Sequence, residues 1–286
     1  MPYWAQSRSI GLCNKGGTMK IEKNSKLGFI ACILISITAL SSFPFADQKS
    51  FNQKETEQYL KRARIESDWK PSGTRGDSYF VNLDDGGIKK RGFLKFTNNL
   101  RPKEPTDSYI YGLAAYELDK LLGLNIYPPV VERTVNGRKA SLQILINRYL
   151  DEDERRLKDI IPPDPEKFFN ALEEIKIFEY LVYDTALCLQ TDPQDVLITD
   201  EWKVWRVDLS EAFRPSPELI KGCEITRCSR KLYQNMQQIE DKKIRSKLKK
   251  YLNKDEMNAL LKRKEMIIET LQKLIKEKGE EAVLFE

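Results

Sequence analysis

Residues 186–213 read ALCLQTDPQDVLITDEWKVWRVDLSEAF, and this stretch decides how the chain is interpreted. Two apolar runs, Val196–Thr199 and Lys203–Val207, flank the turn residues 200–202, which predicts a β-hairpin. Asp208 follows the second strand directly. A carboxylate at a buried strand end suits a metal ligand, because hard divalent cations prefer carboxylate oxygens. The structural alternative is that Asp208 only caps a turn.

Two more hairpins are indicated upstream of this stretch. Asp-Asp-Gly-Gly at residues 84–87 separates the expected strands Ser78–Leu83 and Lys89–Phe96. Asn136–Gly137 is a two-residue hairpin turn that precedes the expected strand Ser141–Ile146. The first half of the chain is therefore predicted to be rich in sheet.

Helical spacing of apolar residues predicts the remaining elements. Helices are expected over residues 109–122, which Gly123 ends, and over residues 165–185. A last long helix begins at Asn253, which forms a capping box with Glu256. The charged residues 52–66 are expected to form a short surface helix, and the charged, proline-rich residues 150–167 to form a connection or an insert. This order of elements predicts an α+β fold with a sheet-rich front and a helical back.

The N-terminus has the layout of a secretory signal peptide. Lys20, Lys23 and Lys26 precede an uncharged apolar stretch over residues 27–40, and small residues follow it up to Ala46. Residues 1–46 are therefore expected to be an N-terminal extension plus signal peptide, and the protein to be exported to a periplasmic or extracellular location. An uncleaved N-terminal helix that anchors the chain is the alternative.

Composition excludes several classes of site. The chain contains no histidine, so a Ser-His-Asp triad, a histidine general base and histidine-ligated metal sites are excluded. The net charge is +5, but residues 1–46 carry five Lys or Arg and one Glu, so the expected mature chain is nearly neutral. Its charge therefore predicts no nucleic-acid partner.

Cysteine usage leaves two alternatives open. Cys13 and Cys32 lie in the expected leader, whereas Cys188, Cys223 and Cys228 remain. A bridge between Cys223 and Cys228 fits an oxidising compartment. Free buried thiols are the other interpretation.

Lys95 lies in the apolar strand sequence Gly-Phe-Leu-Lys-Phe, where a buried ammonium would need a partner or a ligand. A solvent-facing position is the alternative. The loop Pro71–Gly76 contains Gly73 and Gly76, which could cover phosphate groups or form an ordinary turn.

Three segments carry a resemblance to a known group of proteins. They are residues 114–146 (AAYELDKLLGLNIYPPVVERTVNGRKASLQILI), residues 176–185 with 196–214 (KIFEYLVYDT and VLITDEWKVWRVDLSEAFR), and the C-terminal runs 225–239 and 248–268. These resemble an uncharacterised bacterial family with signal peptides, which itself is similar to atypical kinases of the HipA, phosphatidylinositol 3-/4-kinase and secretory-pathway kinase types. The resemblance implies a two-lobed protein-kinase-like fold, with an N-lobe over residues 52–149 and a mainly helical C-lobe over residues 150–280.

The resemblance also implies site residues. Lys95 matches the strand lysine that binds nucleotide phosphates, and Asp208 matches a metal ligand. Asp195 stands in place of the second metal ligand. Asp192 is the one acid that could act as catalytic base.

The sequence departs from the family pattern at several of these positions. Gly112 stands where the family has a helix glutamate, Ala186 where it has the catalytic aspartate, and Leu209 where it has a histidine. About four extra residues also lie between Ala186 and Asp195.

Two functions are therefore expected. The first is an exported, catalytically impaired, pseudokinase-like module that binds an unidentified protein or envelope partner. The second is an active atypical kinase or nucleotidyl transferase that uses ATP with Mg²⁺ or Mn²⁺. Convergence of Lys95, Asp192, Asp195 and Asp208 on one cleft would favour the second.

Overall fold

The described residues form an antiparallel sheet of six strands, three smaller sheets and eight α-helices. The computed structural model describes residues 52–73, 76–101 and 106–286. The strands are β1 (Arg64–Ile65), β2 (Lys70–Pro71), β3 (Ser78–Asp84), β4 (Lys89–Lys95), β5 (Asn98–Asn99), β6 (Asp107–Ser108), β7 (Val130–Val135), β8 (Arg138–Ile144), β9 (Leu150–Asp151), β10 (Val196–Ile198), β11 (Val204–Arg206), β12 (Cys228–Ser229) and β13 (Leu284–Phe285). The helices are α1 (Gln53–Arg62), α2 (Tyr109–Leu122), α3 (Glu152–Leu157), α4 (Pro165–Val182), α5 (Arg230–Gln238), α6 (Asp241–Leu248), α7 (Lys254–Lys278) and α8 (Glu280–Val283).

The main sheet has the strand order β1-β3-β4-β8-β7, with β2 also paired to β3. Its β7–β8 hairpin turns at Asn136 and Gly137, whose φ angles of 52° and 76° are those that this tight turn requires. A smaller sheet has the order β11-β10-β9. The α+β composition and the three predicted hairpins are confirmed, whereas the division into two lobes stays a prediction.

The buried apolar residues form two clusters. The smaller cluster lies between the main sheet and α1 and includes Leu60, Leu94 and Leu142, together with Trp205 from β11. The larger one joins α2, α4 and α7 with β10 and the segment after β11. Trp205 therefore fastens the smaller sheet to the larger one, which brings the end of β11 next to the end of β4.

Local capping signals are confirmed at both predicted helix ends. Gly123 ends α2 with φ 65°, a left-handed conformation that glycine adopts without a steric penalty. Asn253 and Glu256 form the capping box of α7.

Within the part of the chain that the structure describes, no helix has the length and apolar character that crossing a bilayer requires. The expected leader lies outside the described residues.

Two charged segments contain structure that the sequence did not indicate. Residues 150–167, expected to form a connection or an insert, contain β9 and α3, and Asp151 forms a capping box with Glu154. The predicted surface helix is present as α1, and one face of it is buried, since Tyr59 and Leu60 pack against the sheet. Its charged residues occupy the outer face, so the mean hydropathy of the segment does not reveal this short apolar stripe.

Asp119, near the end of α2, is fully buried. Its Oδ1 accepts a hydrogen bond from the backbone N–H of Ile126 at 3.1 Å, which fixes the chain that leads into β7. Burial raises the pKa of Asp119 to about 7, and the facing charges are Glu174, which adds to the rise, and Lys203, which opposes it.

Asp119→Asn is expected to flatten the pH dependence of stability. A carboxyl whose pKa rises from 3.8 to about 7 on folding holds its proton in the folded state while the unfolded chain has lost it. The wild-type free energy of unfolding therefore falls as pH rises through this window, by up to about 1.4 kcal/mol per pH unit for this group. Urea unfolding of both proteins across the window measures the difference, and parallel curves would contradict the assignment.

Candidate functional site

Lys95, the last residue of β4, is buried, and its ammonium group is surrounded by carboxylate and hydroxyl oxygens. Its Nζ is 2.7 Å from Asp107 Oδ1 and 3.3 Å from Asp208 Oδ1, and it donates a hydrogen bond to Ser210 Oγ at 2.8 Å. Burial alone would lower the pKa of Lys95, but the charges of Asp208 and Asp107 outweigh it and raise that pKa. The ammonium therefore stays charged and ties the main sheet to the segment that follows β11.

Asp107 is the acid that sequence reasoning missed. The expected position for the partner of Lys95 was Gly112 in α2, but a Cβ there would lie 3.1 Å from the Tyr127 hydroxyl, so a glutamate has little room. The carboxylate comes instead from β6, one residue before the α2 N-cap Ser108. An acid beside a helix N-cap ordinarily serves the helix dipole, so the local pattern gives no reason to pair it with Lys95.

Asp208 lies at the centre of the site. Its Oδ1 accepts a hydrogen bond from Ser210 Oγ at 2.6 Å in addition to the ion pair with Lys95. Burial acts to raise the pKa of Asp208, but Lys95 and the Ser210 hydrogen bond lower it below the ordinary value. The backbone of Asp208 has φ 51°, a left-handed conformation that is uncommon for residues other than glycine. This conformation turns the chain just after β11.

Arg206 of β11 holds the segment of residues 183–195, here called the acid loop. The Arg206 side chain is 1% exposed. Its Nε donates to Glu179 Oε1 of α4 at 2.8 Å, and its Nη2 donates to Asp184 Oδ1 at 2.6 Å. A third carboxylate, that of Asp195, lies 3.7 Å from Nη1. One buried guanidinium therefore joins the beginning and the end of the acid loop to the adjacent helix and strand.

Two of the carboxylates around Arg206, those of Asp195 and Glu179, have raised pKa values. Burial raises the pKa of Asp195 to about 7, against the lowering effect of Arg206 and with a contribution from Asp208. Burial also raises the pKa of Glu179 to about 8. The carboxylate of Glu179 also accepts a hydrogen bond from the backbone N–H of Leu187, so it helps to fix the acid loop on α4.

Two adjoining cavities open onto these residues. The first, of about 230 Å³, is lined by six carboxylates and three cations. The carboxylates are those of Asp107, Asp184, Asp192, Asp195, Asp208 and Glu211, and the cations are Lys95, Arg206 and Arg214. The second cavity, of about 630 Å³, lies beneath the main sheet and has apolar walls that include Phe80, Phe93, Ile146, Leu197 and Val207. Gln194, Asp195 and Asp208 line both cavities, so the two form one continuous cleft.

The structure brings four of the residues singled out from sequence into this cleft. Lys95, Asp192, Asp195 and Asp208 all line the first cavity. Gly73 and Gly76 line neither cavity, although a Cβ on Gly76 would lie 3.1 Å from Asp107 Oδ2. The loop that contains both glycines therefore passes close to the Lys95–Asp107 pair. Residues 74–75 of that loop lie outside the described residues.

No group of three or more Asp, Glu or Cys within the described residues is arranged to hold a metal ion alone. Asp195 and Asp208, which line both cavities, are the two carboxylates that could contribute to a Mg²⁺ or Mn²⁺ site completed by substrate. Mg²⁺ typically takes one or two protein carboxylates and completes its coordination with water and substrate phosphates.

The disulfide differs from the bridge considered from sequence. Cys188 of the acid loop is bonded to Cys223, and Cys228 is a buried free thiol. A bridge between Cys223 and Cys228 is therefore wrong, because Cys228 lies in β12, inside the larger apolar cluster. The acid loop is thus fastened by a covalent bond as well as by Arg206.

No protein-family model matches the chain, and no curated protein matches it. Among solved structures, the crystal structure of a Helicobacter pylori proinflammatory kinase, CtkA, is similar. The TM-score is 0.48 with 9% sequence identity, over 79% of this chain and 99% of that chain. The function proposed below therefore rests on the geometry of the cleft.

Replacing both bridged cysteines, Cys188→Ser with Cys223→Ser, is expected to lower the free energy of unfolding by about 3–4 kcal/mol. A cross-link that spans 35 residues lowers the conformational entropy of the unfolded chain, and this stabilises the folded state by about the same free energy. Urea unfolding with and without reductant measures the effect. Reductant should weaken the wild type and the control Cys228→Ala but not the double variant. Equal sensitivity of all three proteins would contradict the bridge.

Arg206→Met is expected to lower the free energy of unfolding by about 3–5 kcal/mol, because it leaves buried carboxylates without their cation. The matched control is Arg64→Met, which removes an arginine whose side chain is 74% exposed and which pairs with Asp84. The control should change stability by less than about 0.5 kcal/mol. Urea denaturation compares the two, and similar small losses would show that Arg206 does not hold the loop.

Proposed function

We propose that this chain binds a nucleoside triphosphate, with ATP as the first candidate, together with Mg²⁺ or Mn²⁺ in the continuous cleft, and that the cleft supports phosphoryl transfer. The observation that carries the proposal is the convergence of Lys95, Asp192, Asp195 and Asp208 on one cavity. These residues are separated by up to 113 positions in sequence. A two-lobed kinase-like fold is part of the proposal, since the sheet and the helical cluster meet at this cleft.

The two cavities suit the two parts of a nucleotide. The larger one has apolar and aromatic walls for a base and a volume of about 630 Å³, within the usual range for small-molecule sites. The smaller one presents the Lys95 ammonium, which would bind phosphate oxygens as a point charge. The residues shared by both cavities lie where the phosphates would leave the base pocket.

Charge makes a metal ion necessary for this binding. The first cavity has more carboxylates than cations, so an anionic triphosphate alone would be repelled. Asp208 and Asp195 would hold the metal ion, which supplies positive charge to the phosphate oxygens. Asp195 must lose the proton that burial favours before it can bind a cation.

Asp192 would orient the acceptor hydroxyl and accept its proton. Its carboxylate is exposed in the cavity and accepts a hydrogen bond from Gln194 Nε2 at 3.2 Å. Asp184, the other acid early in the loop, is engaged by Arg206 and cannot serve this role in the same arrangement.

A second candidate is a binding module without phosphoryl transfer. The observation that favours it is Ala186, which lines the first cavity where the resemblance expects the catalytic aspartate. Such a module would still bind a nucleotide through Lys95 and Asp208. It would act on a protein or envelope partner.

We propose an exported location for either function. The Cys188–Cys223 bridge supports it, because disulfides persist in oxidising compartments. The signal peptide that the sequence predicts also indicates export. Contact with a membrane through that leader requires that it stay uncleaved.

ATP with Mg²⁺ or Mn²⁺ is expected to raise the unfolding temperature of the full chain, because a ligand at 100 times its Kd adds about 2.7 kcal/mol to stability. Lys95→Ala and Asp208→Ala should abolish this rise, since each removes a charge in the cleft. The control Lys89→Ala changes an exposed lysine on the same strand, and should preserve it. A thermal shift assay with and without metal measures the effect. No rise with any nucleotide would contradict nucleotide binding.

The same preparations separate the two candidate functions. If wild-type protein hydrolyses or transfers the ATP γ-phosphate and Asp192→Asn loses this turnover while it keeps the thermal shift, phosphoryl transfer is supported. A metal-dependent shift with no turnover in wild type would favour the binding module.

A further inference from the structure

Helix α6, the turn after it and the first residue of α7 carry an unusual concentration of positive charge. Residues 241–254 contain seven basic and one acidic residue. The basic side chains, here called the basic face, are Lys242, Lys243, Arg245, Lys247, Lys249, Lys250 and Lys254, and all seven residues are exposed. Ile244 and Leu248 point the opposite way into the larger apolar cluster, so the helix has a fixed orientation.

The described residues supply no acidic partner to the basic face. No carboxylate of the described residues lies within ion-pair distance of any of its members. Among the described residues, Arg245 donates only to the neutral Asn258, and the one acid of the segment, Asp241, is paired with Lys264. By contrast, exposed lysines elsewhere, such as Lys89 and Lys139, face acidic partners. An ordinary solvated helix face mixes both signs, and this one does not.

The chemistry of this surface favours a plane of anionic headgroups over other polyanions. None of the exposed large hydrophobic residues within the described ranges lies in residues 241–254, so the face lacks the apolar anchors typical of a protein interface. It also lacks exposed aromatic side chains on which nucleic-acid bases would stack, since Tyr251 is half-buried. Long lysine side chains on a short outer helix can reach headgroups without a shaped pocket.

We propose that the basic face docks this protein on a membrane surface rich in anionic lipid. The attraction is electrostatic and reversible, and each lysine near such a surface strengthens binding by about fivefold. The apolar run that ends at Leu40 lies twelve residues before Asn52, a span of at most about 40 Å. A retained leader would therefore keep the described residues near a bilayer, where the basic face could bind it.

The test compares two variants of equal net charge in the full chain. In the first, Lys242, Lys243, Lys247 and Lys250 become Gln. In the control, four exposed lysines with acidic partners become Gln, namely Lys89, Lys139, Lys158 and Lys273. Co-sedimentation is measured with vesicles of neutral phosphatidylcholine and with vesicles that contain about one third phosphatidylglycerol, at low salt and at about 0.5 M salt. Far-UV circular dichroism checks that each variant is folded.

Wild type and control are expected to bind the anionic vesicles at least about tenfold more tightly than the basic-face variant at low salt, and this advantage should disappear at high salt. A retained apolar leader would add equal binding to neutral vesicles in all three proteins, so it would not change this comparison. Equal binding by both variants, or no preference for anionic vesicles, would overturn the proposal. Retention on a short DNA duplex or an acidic peptide, without vesicle binding, would overturn it in favour of that partner.

Discussion

The removal of the Lys95 ammonium from water is the constraint on which the arrangement of the cleft depends. A buried charge is costly unless it is paired and hydrogen-bonded. Here the compensation comes from outside its own strand, from Asp107 of β6 and from Asp208 and Ser210 after β11. The sheet cannot bury Lys95 unless the chain before α2 and the chain after β11 come together at the end of β4. The packing of Trp205 between the sheets provides that approach.

Charges of opposite sign continue from this pair into the helical part of the chain. Asp208 is stabilised by Lys95 and also by Arg206, and Arg206 in turn pairs with Asp184 and Glu179. The acid loop is therefore held on one side by a buried cation and on the other by the bond between Cys188 and Cys223. This explains how a loop that departs from the expected spacing still places Asp192 and Asp195 in the same cavity as Lys95.

Sequence reasoning succeeds where the determinants are local. The hairpin at Asn136–Gly137, the end of α2 at Gly123 and the start of α7 at Asn253 each depend on residues within one turn, and all were predicted. It fails where they are distant. The partner of Lys95 was expected in α2, but the Tyr127 hydroxyl occupies the space beside Gly112. Arg206 reads as an ordinary polar position of a hairpin strand, because its partners lie 22 and 27 residues earlier.

The overall charge of the chain conceals two surfaces of opposite character. The cleft collects carboxylates that repel an anionic ligand until a cation joins it, whereas α6 collects lysines that no carboxylate within the described ranges neutralises. The net charge of the whole sequence reveals neither surface, because it adds charges from distant parts of the chain. The field of each surface acts only locally, over about 10 Å at ordinary salt. Carboxylates are tolerated in the cleft because Lys95 and Arg206 are buried among them. The lysines of α6 are tolerated because they stand in water, and it is this exposure that leaves them available to an anionic surface.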